Sequence, residues 1–377
     1  MKKIVFLTRR YNLGGAERVN AIIGNYLNQS DEFKVYFYSE KDIEPFFQLD
    51  GEFVKYESSR FEKLPIIGKA IRGKRVIIQK LNNGQYDPNH VSGRFKNQFT
   101  DFCLKEGVDT VVISSPELIS LIPDMKQQMN NVKIISWLHN GWVLYLNKDK
   151  NPVYKPFING IKAADIVVAL THEDRDKFIE INKNTKCIYN PLTIKNEEHS
   201  ALKSKNIAFA SRYAIEQKGI DYLAEVAAKL PDRWKITFAG SGNETEVENV
   251  NRLFEVNNSL DKVDFLGLLK DDELRDFYLS ASMYLMTSRF EGFGLVLSEA
   301  MSFGLPVLAF EQTGSKEVLS NGRYGILVEN GNVSKMSEKI SELIENRDIL
   351  IDYQKKSLER VGDFKLEKIA KKWKEIL

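Results

Sequence analysis

Short apolar runs alternate with helix-patterned segments along almost the whole of this chain, and that alternation fits a parallel sheet wrapped by helices. The clearest instance is a strand-like run at 283–287, followed by the turn Arg289-Phe290-Glu291-Gly292-Phe293-Gly294 and a helix pattern from Leu295. That pattern breaks at Gly304, and Pro306 opens another strand-like run at 307–310. Earlier runs at 3–8, 34–39, 110–114, 133–138, 166–170 and 186–189 read as buried strands. After the first of them, Val19, Ile22, Ile23, Tyr26 and Leu27 recur at helical spacing. Alternation is less regular between 40 and 99, where helices and loops grafted on the sheet are expected. It restarts at 207–210 after Asn190-Pro191 and the polar run 195–206, which is the best candidate linker. A chain of 377 residues exceeds what one core usually holds. The expectation is therefore α/β throughout, with two doubly wound, Rossmann-like parallel-sheet domains at 1–192 and 193–362.

Composition narrows the function classes. A net charge of +2 leaves no global field to recruit nucleic acid. Cys103 and Cys187 stand in no metal-ligand spacing and read as buried thiols of a reducing, cytoplasmic compartment. The apolar run after Met1-Lys2-Lys3 is too short for a signal peptide and meets Arg9-Arg10, so it reads as a first strand. No apolar run approaches the ~20 residues that span a bilayer.

The turn at 289–294 carries the chemistry. Amides of Phe293, Gly294 and Leu295 converge where a strand ends and a helix starts, which is where an open parallel sheet binds anions. Glu291 and Glu299 lie eight positions apart and bracket that anion. A carboxylate beside a phosphate site takes hydroxyls as partners, so a phosphate flanked by two hydroxyl acceptors describes a nucleotide sugar. Arg212 and Lys218-Gly219 follow the run 207–210 and bring two cations to the same sheet edge, suited to a leaving diphosphate. Gly240-Ser241-Gly242 lacks the third glycine of a dinucleotide fingerprint, Thr245 standing in its place. It either touches ligand or only shapes its turn. Gly14-Gly15 precede a helix start after the first strand, and His139 ends the run 133–138, with Trp137 and Trp142 beside it as core or as lining.

Residues 289–309 resemble the signature of the retaining family-4 glycosyltransferases (glycosyl transferases group 1) of the GT-B fold, as found in bacterial capsule and exopolysaccharide synthesis. The resemblance implies two Rossmann-like domains facing across a cleft that closes about a hinge, with a terminal helix, 363–377, crossing back onto the first. It implies that Arg212 and Lys218 hold the donor diphosphate, although Ser211 stands where the family commonly has glycine. Glu299, just inside its helix, would take the ribose hydroxyls, and Glu291 the donor sugar. Gly240 and Gly242 match a family turn, and Leu266 and Gly267 match a loop that lies against the nucleobase. Gly14, Gly15 and His139 fall near the acceptor and the reacting sugar. Glu291, His139, Lys218 and Arg212 are thus the candidate catalytic residues. Retention of anomeric configuration is implied by the family alone.

No metal or other cofactor is expected, because Arg212 and Lys218 already neutralise the diphosphate. Asp174-Arg175-Asp176 has the spacing of a metal motif but reads as a capped helix start after Thr171. Ten Lys or Arg stand against three acids between Lys55 and Lys96, interleaved with apolar residues. This suits either an anionic membrane surface carrying a lipid-linked acceptor or a plain solvated face. The expected partners are a nucleotide sugar, UDP by base rate, and a saccharide or lipid-linked acceptor at the inner face of the cell membrane. Two other readings share the fold: a nucleotide-sugar epimerase and an inactive glycosyltransferase-like partner subunit.

Overall fold

The computed structural model describes residues 1–57, 73, 84–194 and 196–377, with the backbone alone for 89–92. The chain divides into two units, one of Met1–Pro191 with Leu366–Leu377 and one of Leu192–Lys365. Among the described residues the first holds seven strands: β1 (Lys2–Thr8), β2 (Phe33–Ser39), β3 (Glu52–Lys55), β4 (Thr110–Ile113), β5 (Lys133–Trp137), β6 (Ile166–Ala169) and β7 (Thr185–Cys187). Their order is β3-β2-β1-β4-β5-β6-β7 and every pairing is parallel. All residues of β4 and β6 are buried, as a sheet covered on both faces requires, while the edge strand β3 stays half-exposed.

Helix α1 (Gly15–Asn28) buries Val19, Asn20, Ile23 and Leu27. The last helix, Leu366–Lys374, lies in this unit and buries Ile369, Ala370 and Trp373. The Trp373 ring packs on Trp137, centroids 4.6 Å apart, and Trp137 in turn packs on His139 at 4.5 Å. Trp137 is therefore core. Helix α2 (His172–Phe178) is capped by Thr171, which accepts from the Asp174 N–H. Asp174 itself is buried and accepts from the Trp142 N–H at 2.7 Å, so its carboxylate is spent on the local fold.

The second unit holds β8 (Asn206–Ala210), β9 (Lys235–Ala239), β10 (Val263–Gly267), β11 (Met283–Met286), β12 (Val307–Phe310) and β13 (Ile326–Val328). Their order is β10-β9-β8-β11-β12-β13, again all parallel. The polar run expected as a linker belongs to this unit instead. Ser200 is buried and its N–H donates to Phe303 O at 2.9 Å, while Arg347 donates to Leu202 O at 2.9 Å. Where the chain enters the unit, the Leu192 N–H donates to Phe364 O at 2.8 Å, close to where it leaves.

Cys103 is buried as expected, but Cys187 is half-exposed with its Sγ 3.9 Å from His172 Nδ1, because it ends a short edge strand. Most of the basic stretch proposed for membrane contact, at 58–72 and 74–83, lies outside the described residues. Among the described residues no helix is long and apolar enough to cross a membrane.

Trp373 is fully buried against Trp137. Trp373→Ala is expected to cost about 3–5 kcal/mol of stability, the usual range for emptying a large aromatic site, measured by urea unfolding.

Candidate active site

In an open parallel sheet, ligands bind outside the carboxyl ends of the strands where the strand order reverses. In the second unit that point falls between β8 and β11, which are neighbours although three apart in chain order. The loops leaving their ends are 211–219 and 287–294, the two segments that hold the candidate cations and carboxylates.

Close backbone contact joins these loops. Helix α3 (Ile215–Lys218) ends in Gly219, whose φ of +60° lies in the left-handed region. A Cβ there would stand 2.0 Å from the Thr287 carbonyl oxygen, so only glycine permits the approach. Thr287 Oγ1 donates to Lys218 O at 2.9 Å and the Arg289 N–H to Gln217 O at 2.9 Å. Helix α4 (Ile220–Ala228) adds a clamp: both guanidinium nitrogens of Arg289 reach Asp221, at 2.8 and 2.6 Å. The same guanidinium lies 3.9 Å from the centre of the Tyr222 ring. Burial pushes the Asp221 carboxyl up, but the Arg289 hydrogen bond and charge outweigh it and hold the group below its ordinary value.

The result is an ion pair of Lys218 Nζ with Glu291 Oε1 at 2.6 Å, the two side chains only 14% and 11% exposed. Ser288 Oγ donates to the same Glu291 oxygen at 2.7 Å. Beyond it the chain turns at Gly294, φ +85°, and enters α5 (Leu295–Ser302), whose N-terminus no side chain caps among the described residues. Phe293 is buried, its ring edge-on to Phe364 at 5.6 Å.

Glu299 stands one turn inside α5, which begins at Leu295. It is 4% exposed. Thr193 Oγ1 donates to its Oε1 and the Tyr278 hydroxyl to its Oε2, the latter at 3.0 Å. The carboxylate thus already serves as a hydroxyl acceptor. Burial raises the Tyr284 phenol well above its ordinary value, and the charges of Glu299 and Glu291 raise it further, so both carboxylates act on one buried ring.

Arg212 does not join the Lys218–Glu291 pair. It is exposed and donates to Gln217 Oε1 at 3.4 Å. The Gly240 N–H donates to Gly267 O at 2.8 Å, so this glycine shapes its turn, while Gly242 is exposed. Leu266 and Leu268, 42% and 43% exposed, form with Gly267 an apolar rim at the end of β10.

The corresponding point of the first sheet lies between β1 and β4. Gly14 precedes α1 with extended backbone and Gly15 opens the helix, which no side chain caps among the described residues. Here Asn20, fully buried, links three elements. Its Oδ1 accepts from Ser114 Oγ at 2.9 Å, and its Nδ2 lies 2.7 Å from Ala16 O and 3.2 Å from His139 Nε2. The N–H groups of His139 and Asn140 both donate to the Tyr145 hydroxyl at 3.3 Å, which holds the turn. Burial lowers the His139 imidazole from its ordinary 6.5 to about 3.

Ser288, Arg289, Asp221, Thr193, Tyr278, Asn20 and Ser114 were not singled out in the sequence. One signal was legible: Asn20 is a polar residue at the apolar spacing of α1, between Val19 and Ile23. The others are polar residues of ordinary type that only the fold brings to the site.

Two all-parallel Rossmann-like units in tandem, the second with a lysine–glutamate pair at its switch point, have the GT-B fold. Residues 192–360, within the second unit, match the family described as glycosyl transferases group 1. An uncharacterised glycosyltransferase of Haemophilus influenzae is 27% identical over the whole of both chains. A 41.2 kDa protein encoded in a cps region of Klebsiella pneumoniae is 29% identical, over 70% of this chain and 71% of its own. The Anabaena protein HepE, solved with UDP-glucose, superposes with a TM-score of 0.72 at 16% identity, covering 100% of this chain and 99% of its own.

The depressed His139 value has a measurable consequence. Below pH 6.5 the unfolded chain binds a proton that the folded chain refuses until about pH 3, so stability falls as pH falls. Between pH 7 and pH 5 this group is expected to cost about 2 kcal/mol, and His139→Gln removes that part of the loss. Urea unfolding of both proteins at the two pH values measures the difference.

Proposed function

We propose that this chain transfers a hexose or N-acetylhexosamine from a UDP-sugar to a hydroxyl of a saccharide or lipid-linked acceptor, with retention, in bacterial surface polysaccharide synthesis. The observation that carries this reading is the Lys218–Glu291 pair, seated with Ser288 at the β8/β11 switch point beside the α5 N-terminus. A diphosphate that enters here meets the Lys218 ammonium, the Phe293, Gly294 and Leu295 amides and, from its exposed position beside Gln217, the Arg212 guanidinium. These groups stabilise the negative charge that grows on the leaving group as the glycosidic bond breaks. No metal is called for, since fixed cations and amides do that work.

Lys218 then shares its charge between phosphate and Glu291, which frees lone pairs of Glu291 for hydroxyls of the transferred sugar and so orients the anomeric carbon. Glu299 takes the ribose hydroxyls, in the way it now takes those of Thr193 and Tyr278. The Leu266–Leu268 rim lies against the base. In the first unit, Gly14, Gly15 and His139 would serve the acceptor. The cps-region relative and the UDP-glucose complex of HepE support the pathway and the donor class.

Lys218→Ala and Glu291→Ala are each expected to lower kcat/KM by about 100-fold or more, the scale of losing one preorganised charge contact. The test is UDP release from a panel of UDP-sugars, with and without acceptor lipids and glycans, alongside circular dichroism to show that both variants fold. Near-normal transfer by either variant would overturn the roles given to this pair. Release of free UDP that needs no acceptor would favour an epimerase.

A further inference from the structure

We propose that Asn20 is a positioning residue that fixes His139 as the neutral imidazole with its proton on Nδ1, so that the ring offers an N–H donor to an oxygen of a sugar ligand. The identity of that ligand rests on the glycosyltransferase reading; the tautomer does not.

The argument turns on which atoms can only donate. Ala16 O is a backbone carbonyl and only accepts, so the Asn20 atom 2.7 Å from it is the amide nitrogen. With the amide so placed, its Oδ1 accepts from the Ser114 hydroxyl at 2.9 Å, a group that can serve as donor or acceptor. The second N–H of Nδ2 therefore faces His139 Nε2 at 3.2 Å. An amide nitrogen cannot accept a hydrogen bond. Nε2 must hold its lone pair toward Asn20, and a proton there, in the other tautomer or the imidazolium, would set two donors against each other away from water.

The proton is left on Nδ1, which is buried and has no hydrogen-bond partner among the described residues. An orphaned buried donor costs about 1–3 kcal/mol, so each one in a native structure calls for an explanation. At the carboxyl edge of the sheet, two residues past the end of β5, that explanation is an oxygen of a bound molecule, which reaches the half-buried ring once the side chains covering Nδ1 give way. The low imidazole pKa agrees, since a ring held in this way does not take a second proton near neutrality. His139 then acts as a fixed donor to a sugar oxygen and not as a base that removes the acceptor proton.

The test is long-range proton–nitrogen NMR on the full chain with 15N-labelled histidine. The four histidines are His90, His139, His172 and His199, and the His139 signals are assigned by their loss in His139→Gln. The expected result is a protonated-type Nδ1 and an unprotonated-type Nε2, both unchanged between pH 5 and pH 8. Asn20→Asp puts an acceptor where the donor stood; the proton should move to Nε2 and the ring should titrate within that range. Ser114→Ala should keep the wild-type pattern, because the Ala16 carbonyl orients the amide by itself.

The pH profile of UDP release should gain an acid limb in Asn20→Asp that the wild type lacks. A wild-type His139 protonated on Nε2 overturns the proposal, even if Asn20→Asp fails to fold. So does a folded Asn20→Asp protein with the wild-type pattern. The expected spectra with no sugar transfer from any donor would instead remove the glycosyltransferase reading and leave the positioning role standing.

Discussion

Contact between the Gly219 α-carbon and the Thr287 carbonyl is the constraint on which the Lys218–Glu291 pair depends. It is too close for any side chain, so the loop after β8 lies directly on the loop after β11. Lys218, one residue before the contact, is thereby delivered to Glu291, four residues after it. The bidentate Arg289–Asp221 bridge and the Thr287–Lys218 hydrogen bond keep the loops from sliding. A buried ion pair adds little net stability, because desolvation offsets most of the attraction. What these contacts secure is position: a cation and a carboxylate held where charge develops in transfer reactions.

The same plan operates at the first sheet with different chemistry. There the strand-order reversal gathers Asn20, Ser114 and His139, and the linkage is a chain of neutral hydrogen bonds. Each sheet thus builds its polar cluster at the one place where flanking loops diverge and leave room for a ligand. One cluster is charged and suits a diphosphate, while the other is neutral and suits sugar oxygens. Packing supports the second cluster from behind, since Trp137 lies between His139 and Trp373 of the last helix.

Much of this was legible in the sequence, and the reasons differ by element. The central strands β1, β4, β8, β11 and β12 are continuous apolar runs because helices cover both faces, and such runs stand out. The edge strands β3 and β13 escaped notice, being only four and three residues long and partly exposed. Glu291 and Lys218 were visible because glycines mark their turns. Asp221 and Arg289 were not, since an acid and a base 68 positions apart carry no sign that they will meet. The run 196–206 looked like a linker on polarity alone, yet its backbone is tied into the second unit through Ser200 and Leu202. Polarity reports solvent exposure poorly where hydrogen bonds to neighbouring carbonyls are at hand.

Thr193 and Phe364 belong to the segments by which the polypeptide arrives in the second unit and departs from it, and the backbone rung from Leu192 to Phe364 fastens arrival to departure. Thr193 holds the Glu299 carboxylate and Phe364 braces the Phe293 ring. The tethers of the unit are therefore riveted to the very helix and turn proposed to grip its ligand. An engineer who alters them to change how the halves of the chain are joined is also, unavoidably, retuning the grip.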